Sequence, residues 1–427
     1  VVPLKTLIKN GYVIDPATDK EEICDILIED NCIAQIGQII TKEADHIIDA
    51  TDCYVMPGFI DLHVHLREPG FEYKETIETG ALAAAHGGFT SICPMPNTNP
   101  VIDSKETVAY LNDKSKKEAV VNVLPVGAVT IGQAGKELAD IAGMAKEGIV
   151  AISEDGKSVM DTALYKKAMA IAKEEGIVVL AHCEDKSLVQ GGVMNAGKKA
   201  NELGMPGITN AVEDVIAARD ILMAKETGVK LHLCHCSTKD SAWMVEKAKE
   251  QGLPVTAEVC PHHFALTDED IVEDDANYKM NPPLRSKEDV QALKEALRDN
   301  IIDVIATDHA PHSEEEKKKS IKEAPFGIVG LETAFALTMT ELVKTGYLTP
   351  RQLVEKMSLN PAKVLGINRG TLREGANADI VIANPNAEYI IDAKDFVSKG
   401  KNTPFQGKKV YGKIMYTLVN GQIVYQA

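Results

Sequence analysis

The stretch Val55-Met56-Pro57-Gly58-Phe59-Ile60-Asp61-Leu62-His63-Val64-His65-Leu66 is apolar and β-rich almost to its end, and it finishes in Asp61-Leu62-His63-Val64-His65. Strand side chains alternate faces with period two, so His63 and His65 point the same way. Such an H-x-H pair at the C-terminal end of a strand can chelate a metal ion. Two histidines at this spacing also arise by chance, so the rest of the chain has to decide.

Seven more apolar runs follow, at 90–96, 121–129, 149–156, 177–184, 229–236, 254–260 and 302–311. Amphipathic segments lie between them at 76–86, 161–175, 210–227, 239–251 and 286–299, and a further helix at 331–344 follows the eighth run. Eight strand–helix units in succession predict an α/β fold, a (β/α)8 barrel of the TIM type. A doubly wound open sheet is the alternative, but no Gly-rich phosphate turn follows the first strand. The two ends read differently. Residues 4–14, 26–36 and 46–55 are strand-like, with turns expected at Asn10-Gly11 and Asp30-Asn31; 378–383, 389–391 and 413–425 look similar, with Asn420-Gly421 in a comparable turn position. One small β domain built from both ends is expected. The division is 1–55 and 366–427 for the two parts of that domain and 56–365 for the barrel.

A barrel of this kind carries its chemistry at the C-terminal ends of its strands. The fourth run ends in Ser153-Glu154-Asp155-Gly156, the fifth in His182, the sixth in Cys234-His235 and the eighth in Asp308-His309. His63, His65, Asp155, His182, His235 and Asp308 therefore converge on one mouth. Imidazole and carboxylate donors suit Zn²⁺. Two ions bridged by one carboxylate need about six such ligands. Other candidates have plainer readings. His232, three residues before His235, is expected on the opposite face, between barrel and helices. Cys234 and Cys236 are expected in the core, and His46 and His86 at surface or helix positions. His262 and His263, after the seventh run, and His309, beside Asp308, are expected to support the site from behind.

Composition narrows the function classes. The 427 residues carry 46 Lys+Arg against 63 Asp+Glu, a net charge of -17. Phosphate backbones and anionic membranes call for clustered cations, so neither nucleic acid nor membrane is an expected partner. No run of ~18 apolar residues occurs, and no charged-then-apolar signal segment opens the sequence. Eight cysteines without a C-x-x-C pair argue against a disulfide scaffold and for a reducing, cytoplasmic compartment.

The motifs resemble a known family. Pro57-Gly58-Phe59-Ile60-Asp61-Leu62-His63-Val64-His65-Leu66-Arg67-Glu68-Pro69-Gly70 resembles the opening signature of the cyclic amidohydrolases, and with Arg67 in place that of the class I dihydroorotases. Pro94-Met95-Pro96-Asn97-Thr98-Asn99-Pro100, Asn281-Pro282-Pro283-Leu284-Arg285, Ala306-Thr307-Asp308-His309-Ala310-Pro311-His312 and Ala324-Pro325-Phe326-Gly327 are similar too. The resemblance implies a barrel with a β-sandwich made by both termini, and one or two Zn²⁺, two favoured. It implies that His63, His65 and Asp308 hold one ion and His182 and His235 the other, with Asp155 bridging. Many relatives bridge with a carboxylated lysine; here that place holds Asp155, with Lys157 beyond the turn. His65, Arg67, Asn97, Asn281, His312 and the Phe326-Gly327 backbone match the family's substrate contacts. A homodimer and association with aspartate carbamoyltransferase are known among relatives.

The implied reaction is the reversible cyclisation of N-carbamoyl-L-aspartate to L-dihydroorotate and water in pyrimidine biosynthesis. Amide hydrolysis at neutral pH needs a strong nucleophile, which a Zn²⁺-bound water or hydroxide supplies. Asp308 is the expected general acid/base. A guanidinium grips a carboxylate in a two-pronged way that Lys cannot imitate, which points to Arg67, with Asn97 as a neutral donor. The rival readings are another cyclic amidase, allantoinase- or hydantoinase-like, whose uncharged ureides offer Arg67 nothing, and a non-catalytic scaffold, which would be expected to have lost ligands. The long stretch 308–330, with its run Glu314-Glu315-Glu316-Lys317-Lys318-Lys319, is expected to form a lid with a solvated charged face.

Overall fold

A computed structural model describes residues 4–427, so the first three residues of the 1–55 segment lie outside the described residues. The barrel strands are Phe59–Val64, Phe89–Pro94, a third strand in two pieces, Asn122–Val123 and Val126–Ala128, then Ala151–Ser153, Val178–Ala181, Leu231–Leu233, Val255–Val259 and Val304–Ile305. Their pairings are parallel throughout. The ring closes where Val64 bridges His309 and the His65 N–H donates to the His309 carbonyl at 2.8 Å. The third strand breaks at Pro125, which has no N–H for the ladder; its carbonyl still accepts from Val150 N–H at 2.9 Å. The barrel expectation is borne out.

Alternation along each strand sorts its side chains. Ile60, Leu62, Ala151, Val178, Leu180, Val304 and Ala306 fill one cluster, inside the barrel. Val179, Ala181, Leu231, Leu233, Ala257 and Val259 face the helices. The helix Thr162–Glu174 answers with Tyr165, Ala168, Met169 and Ala172, an i, i+3, i+4, i+7 stripe. Thr76, Ser104, Asp161, Thr238 and Ser286 cap helices that return from the sheet, each accepting a first-turn N–H, worth about 1 kcal/mol apiece.

The 55–66 run is two elements. Tyr54–Pro57 belongs to a separate eight-stranded sheet, where it pairs parallel with Lys5–Asp15 and antiparallel with Ile380–Ile390. The two chain ends are thus joined through this strand. Gly58 makes the crossing, because a Cβ there would lie 2.1 Å from Thr90 Oγ1. The run looks continuous in sequence because both halves are buried.

One turn expectation fails. Asn10-Gly11 is a bulge inside the strand Lys5–Asp15, with the register slipping between Ile8 and Gly11. Asn10 takes φ +63°, and its N–H donates to Asp25 Oδ1 at 3.0 Å, so a side chain replaces the missing ladder bond. Asn420-Gly421 does join two strands, Lys409–Val419 and Gln422–Gln426. Among the described residues no helix is long and apolar enough to cross a membrane.

Candidate active site

Asp155 is the point on which the strand ends converge. Its Oδ1 lies 3.1 Å from His63 Nε2, 3.5 Å from His182 Nδ1 and 3.9 Å from His235 Nε2, and its Oδ2 lies 3.3 Å from His65 Nε2. Asp308 Oδ1 completes one side, 3.2 Å from His63 Nε2 and 3.1 Å from His65 Nε2. His182 Nδ1 and His235 Nε2 face each other at 2.9 Å on the other side. All six residues are buried except Asp308, whose side chain keeps 12% of its surface exposed toward the cavity. Arg67, His235 and Asp308 take φ values of +62°, +30° and +51°. These are rare for residues with a Cβ, and such strain gathers where a side chain must be aimed.

The two aspartates dominate the electrostatics of the cluster. Burial alone would neutralise His63, but Asp155 and Asp308 outweigh it and raise its pKa well above the usual imidazole value. His182 is pushed up to about 10, against its burial, by Asp155 and Glu184. Burial would raise Asp155, and the surrounding histidines hold it well below the carboxylate range instead. His235 is lowered, by burial and by His182. Both nitrogens of His63 and Asp155 Oδ1 are buried without a hydrogen-bond partner. Buried polar atoms are rarely left so. An imidazole–carboxylate donor set around unpartnered atoms fits a divalent ion such as Zn²⁺. Lys157 is exposed, so the central carboxylate is that of Asp155.

A cavity of about 170 Å³ opens above the cluster, lined by Arg67, Asn97, Asn281, His312, Phe326 and Gly327 among others. Asn97 Oδ1 accepts from His65 Nδ1 at 2.9 Å, which turns Nε2 toward the two aspartates and leaves the Asn97 amide N–H groups for the cavity. Asn281 Nδ2 donates to Glu184 Oε2 at 2.7 Å, and the same oxygen holds His182 Nε2 at 2.6 Å. Arg67 Nε donates to the Pro311 carbonyl at 3.1 Å. His312 Nε2 donates to the Phe326 carbonyl at 2.8 Å, while Lys74 Nζ approaches Nδ1 at 3.1 Å. Burial, with Arg67 and Lys74, drives His312 far toward the neutral form. The Gly327 N–H donates to the Lys279 carbonyl at 3.0 Å, so that donor is already engaged.

The family model for dihydro-orotase-like proteins matches residues 53–241. The dihydroorotase of Caldanaerobacter subterraneus subsp. tengcongensis is 50% identical over 423 residues, covering 99% of this chain and 98% of the relative. That of Clostridioides difficile is 50% identical over 422 residues, covering 99% and 100%. The chain belongs to the dihydroorotase family. Solved structures with this fold include the L-hydantoinase of Arthrobacter aurescens, with a TM-score of 0.89, 28% identity and coverage of 99% and 96%. The dihydropyrimidinase of Brevibacillus agri follows, with a TM-score of 0.87, 25% identity and coverage of 99% and 95%.

Several groups of this dihydroorotase-family site escape a reading of strand ends. Glu258, fully buried, lies 3.4 Å from His63 Nδ1, accepts from His232 Nε2 at 2.9 Å and accepts from the His235 N–H at 3.3 Å. Those histidines hold it at about 2, although burial works the other way. Asp61 accepts from the N–H groups of His63 and Thr307 at 3.0 and 3.2 Å and from Thr307 Oγ1 at 2.6 Å, pinning the first strand to the eighth. A lone acid inside an apolar run is itself the signal for Glu258, because a charge is buried only when paired.

Two expectations are corrected. His232 sits inside the barrel beneath the cluster. Cys234 is in the core as expected, on its inward side near His63 and Glu258. The sixth strand ends at Leu233 and His235 has positive φ, so counting faces back from His235 fails. Cys236 does pack toward the helices. Lys317 is not on a solvated face: it is 7% exposed and donates to the Pro325 and Gly327 carbonyls, both at 2.9 Å. His309 bonds Glu75 at 3.0 Å, and His263 bonds the Pro282 carbonyl at 2.9 Å; neither touches the six-residue cluster through those bonds.

Proposed function

We propose that this chain is a class I dihydroorotase, interconverting N-carbamoyl-L-aspartate and L-dihydroorotate in pyrimidine biosynthesis. The observation that carries the reading is the arrangement of Arg67 and Asn97 on the wall of a cavity whose floor is the Asp155 cluster. A neutral cyclic ureide has no use for that guanidinium, whereas dihydroorotate brings a carboxylate to it.

His63, His65 and Asp308 would hold one Zn²⁺, His182 and His235 a second, and Asp155 would lie between them. Bound there, the metal lowers the pKa of a water molecule and polarises the amide carbonyl. The chain's own groups do the rest. Arg67, with Asn97 and His312 beside it, orients the substrate carboxylate. The Phe326-Gly327 backbone lines the wall beside His312, and Asn281 lines the wall beside His182 and Glu184. Asp308, ionised and at the cavity edge, takes the proton released by the attacking water and returns it to the departing ring nitrogen. In the synthetic direction the same oxygen receives the proton from the ureido nitrogen. The segment after His312, tied down by Lys317, covers this wall as a lid.

Residues 58–365 form the catalytic unit in this reading, with the strand Tyr54–Pro57 moving the expected boundary at 55/56 to Gly58 and the two chain ends making its β domain. Eight free cysteines support a reducing, cytoplasmic setting. A homodimer and association with aspartate carbamoyltransferase belong to the proposal through the family resemblance. The deciding experiment compares turnover of dihydroorotate, dihydrouracil and hydantoin by the zinc-loaded protein. Strong preference for dihydroorotate is expected, and equal turnover of dihydrouracil would overturn the reading.

A further inference from the structure

A second set of metal-capable side chains lies at the end of the seventh barrel strand. Cys260 follows Val255–Val259, and His262 and His263 stand in the short helix Pro261–Ala265. The three are 0%, 2% and 1% exposed. One donor atom from each lies within 4.8 Å of the other two. The two rings are inclined at 50° to each other, centroids 4.2 Å apart.

The hydrogen bonding of the histidines is incomplete in a telling way. His263 uses Nε2–H to reach the Pro282 carbonyl, which leaves Nδ1 with a lone pair. That Nδ1 is buried and has no partner. His262 Nε2 is buried without a partner too. A bare imidazole nitrogen fixed by a hydrogen bond from its other nitrogen is how metal-binding histidines are oriented. Ordinary core histidines satisfy both nitrogens.

We propose that Cys260, His262 and His263 form a further cation site, separate from the Asp155 cluster, for a borderline divalent ion such as Zn²⁺. The donors decide the class, because one thiolate and two imidazoles select Zn²⁺ over Mg²⁺ or Ca²⁺. Binding exchanges the thiol proton for the ion: the S–H bond breaks, the sulfur–metal bond forms and the proton leaves to solvent. Tetrahedral ligation brings donors to roughly 3.5 Å of one another, a separation within the reach of three side chains whose donor atoms already lie within 4.8 Å. The ion would clamp that helix to the strand end. Because His263 holds Pro282, it would also steady the loop that begins at Asn281. The site stands whether or not the chain acts on dihydroorotate.

The test strips the full chain of metal with a chelator and titrates it with Co²⁺. The six residues of the Asp155 cluster offer nitrogen and oxygen donors only, and the thiol beside them is that of Cys234, so a near-ultraviolet sulfur-to-cobalt charge-transfer band reports a thiolate ligand and Cys234→Ser tells the two thiols apart. The band is expected in the native chain, absent from Cys260→Ser and retained in Cys234→Ser, with bound metal falling by one ion per chain in Cys260→Ser alone. Where Cys260→Ser does not fold, His262→Gln takes its place, and a shifted or weakened band is expected. Absence of the band at saturating Co²⁺ overturns the proposal. So does a band that survives Cys260→Ser, one unchanged in His262→Gln, or one lost only in Cys234→Ser.

Discussion

Glu258 Oε2 stands 3.4 Å from His63 Nδ1, while the other nitrogen of that ring points at Asp155 and Asp308 from 3.1 and 3.2 Å. His63 is thus held between one carboxylate behind it and two in front. A carboxylate behind a ligating imidazole fixes its tautomer and raises its basicity. His232 Nε2, 2.9 Å away, keeps Glu258 in place. Removing Glu258 should loosen the ring without touching the cavity. Glu258→Ala is expected to cost about 10–100-fold in metal affinity, and Glu258→Gln less. Competition with a chromophoric chelator measures it. Unchanged affinity in both variants would show that His63 needs no support from behind.

Asp308 sits at φ +51°, a conformation that Asn tolerates and Ala does not. Asp308→Asn therefore separates the proton-transfer role from the backbone. It should lower kcat by about 10²–10⁴-fold, while the melting temperature of the protein stays close to the native value. Single-turnover kinetics with dihydroorotate are the measurement. Near-native kcat would remove Asp308 as the acid/base.

How far the site was legible depends on where regular strand geometry ends. Phe59–Val64 does not alternate cleanly to its end: Ile60 and Leu62 face the barrel interior, the register with the second strand slips between Asp61 and Val64, and His63 and His65 come together at the mouth across that break, so period-two counting paired them without seeing the slip. Leu231–Leu233 stops two residues before His235, whose positive φ resets the count, and His232 is misplaced for that reason. The eight strands were legible because each is a buried apolar run. The handover at Gly58 was not, because both sides of it are equally buried. Glu258 was visible as an anomaly, but its contact with His63 joins residues from strands that only barrel closure brings together. Lys317 was unreadable, since a lysine in a charged run looks solvated until the carbonyls of Pro325 and Gly327 fold over it.

Arg67 can be tested against charge alone. Its side chain is anchored by Nε to the Pro311 carbonyl at 3.1 Å, and one outer nitrogen, Nη2, lies 3.3 Å from His312 Nε2. Arg67→Lys keeps the charge and loses both the anchor and the fork. Hydrogen bonds to charged groups are worth about 1.5–3 kcal/mol, so KM for dihydroorotate should rise about 10–100-fold. Any turnover of dihydrouracil should change far less. A parallel loss on both substrates would mean that Arg67 shapes the cavity and does not read the carboxylate.

Lys356 carries a pH signature that is independent of the active site. Its side chain is fully buried, with Nζ donating to the Ile302 carbonyl at 3.0 Å and Asn300 Oδ1 at 3.1 Å. Burial lowers its pKa from 10.5 to about 8, with Asp303 and Glu355 opposing. Between those two values the unfolded chain holds a proton on this lysine that the folded chain has lost. Stability linked to Lys356 must therefore rise as pH climbs from about 8 toward 10.5, and the burden of the buried charge is greatest below 8. Lys356→Met removes the titration. Urea midpoints measured across this window should climb more steeply for the native chain than for the variant, and equal slopes would mean that Lys356 stays charged inside the fold.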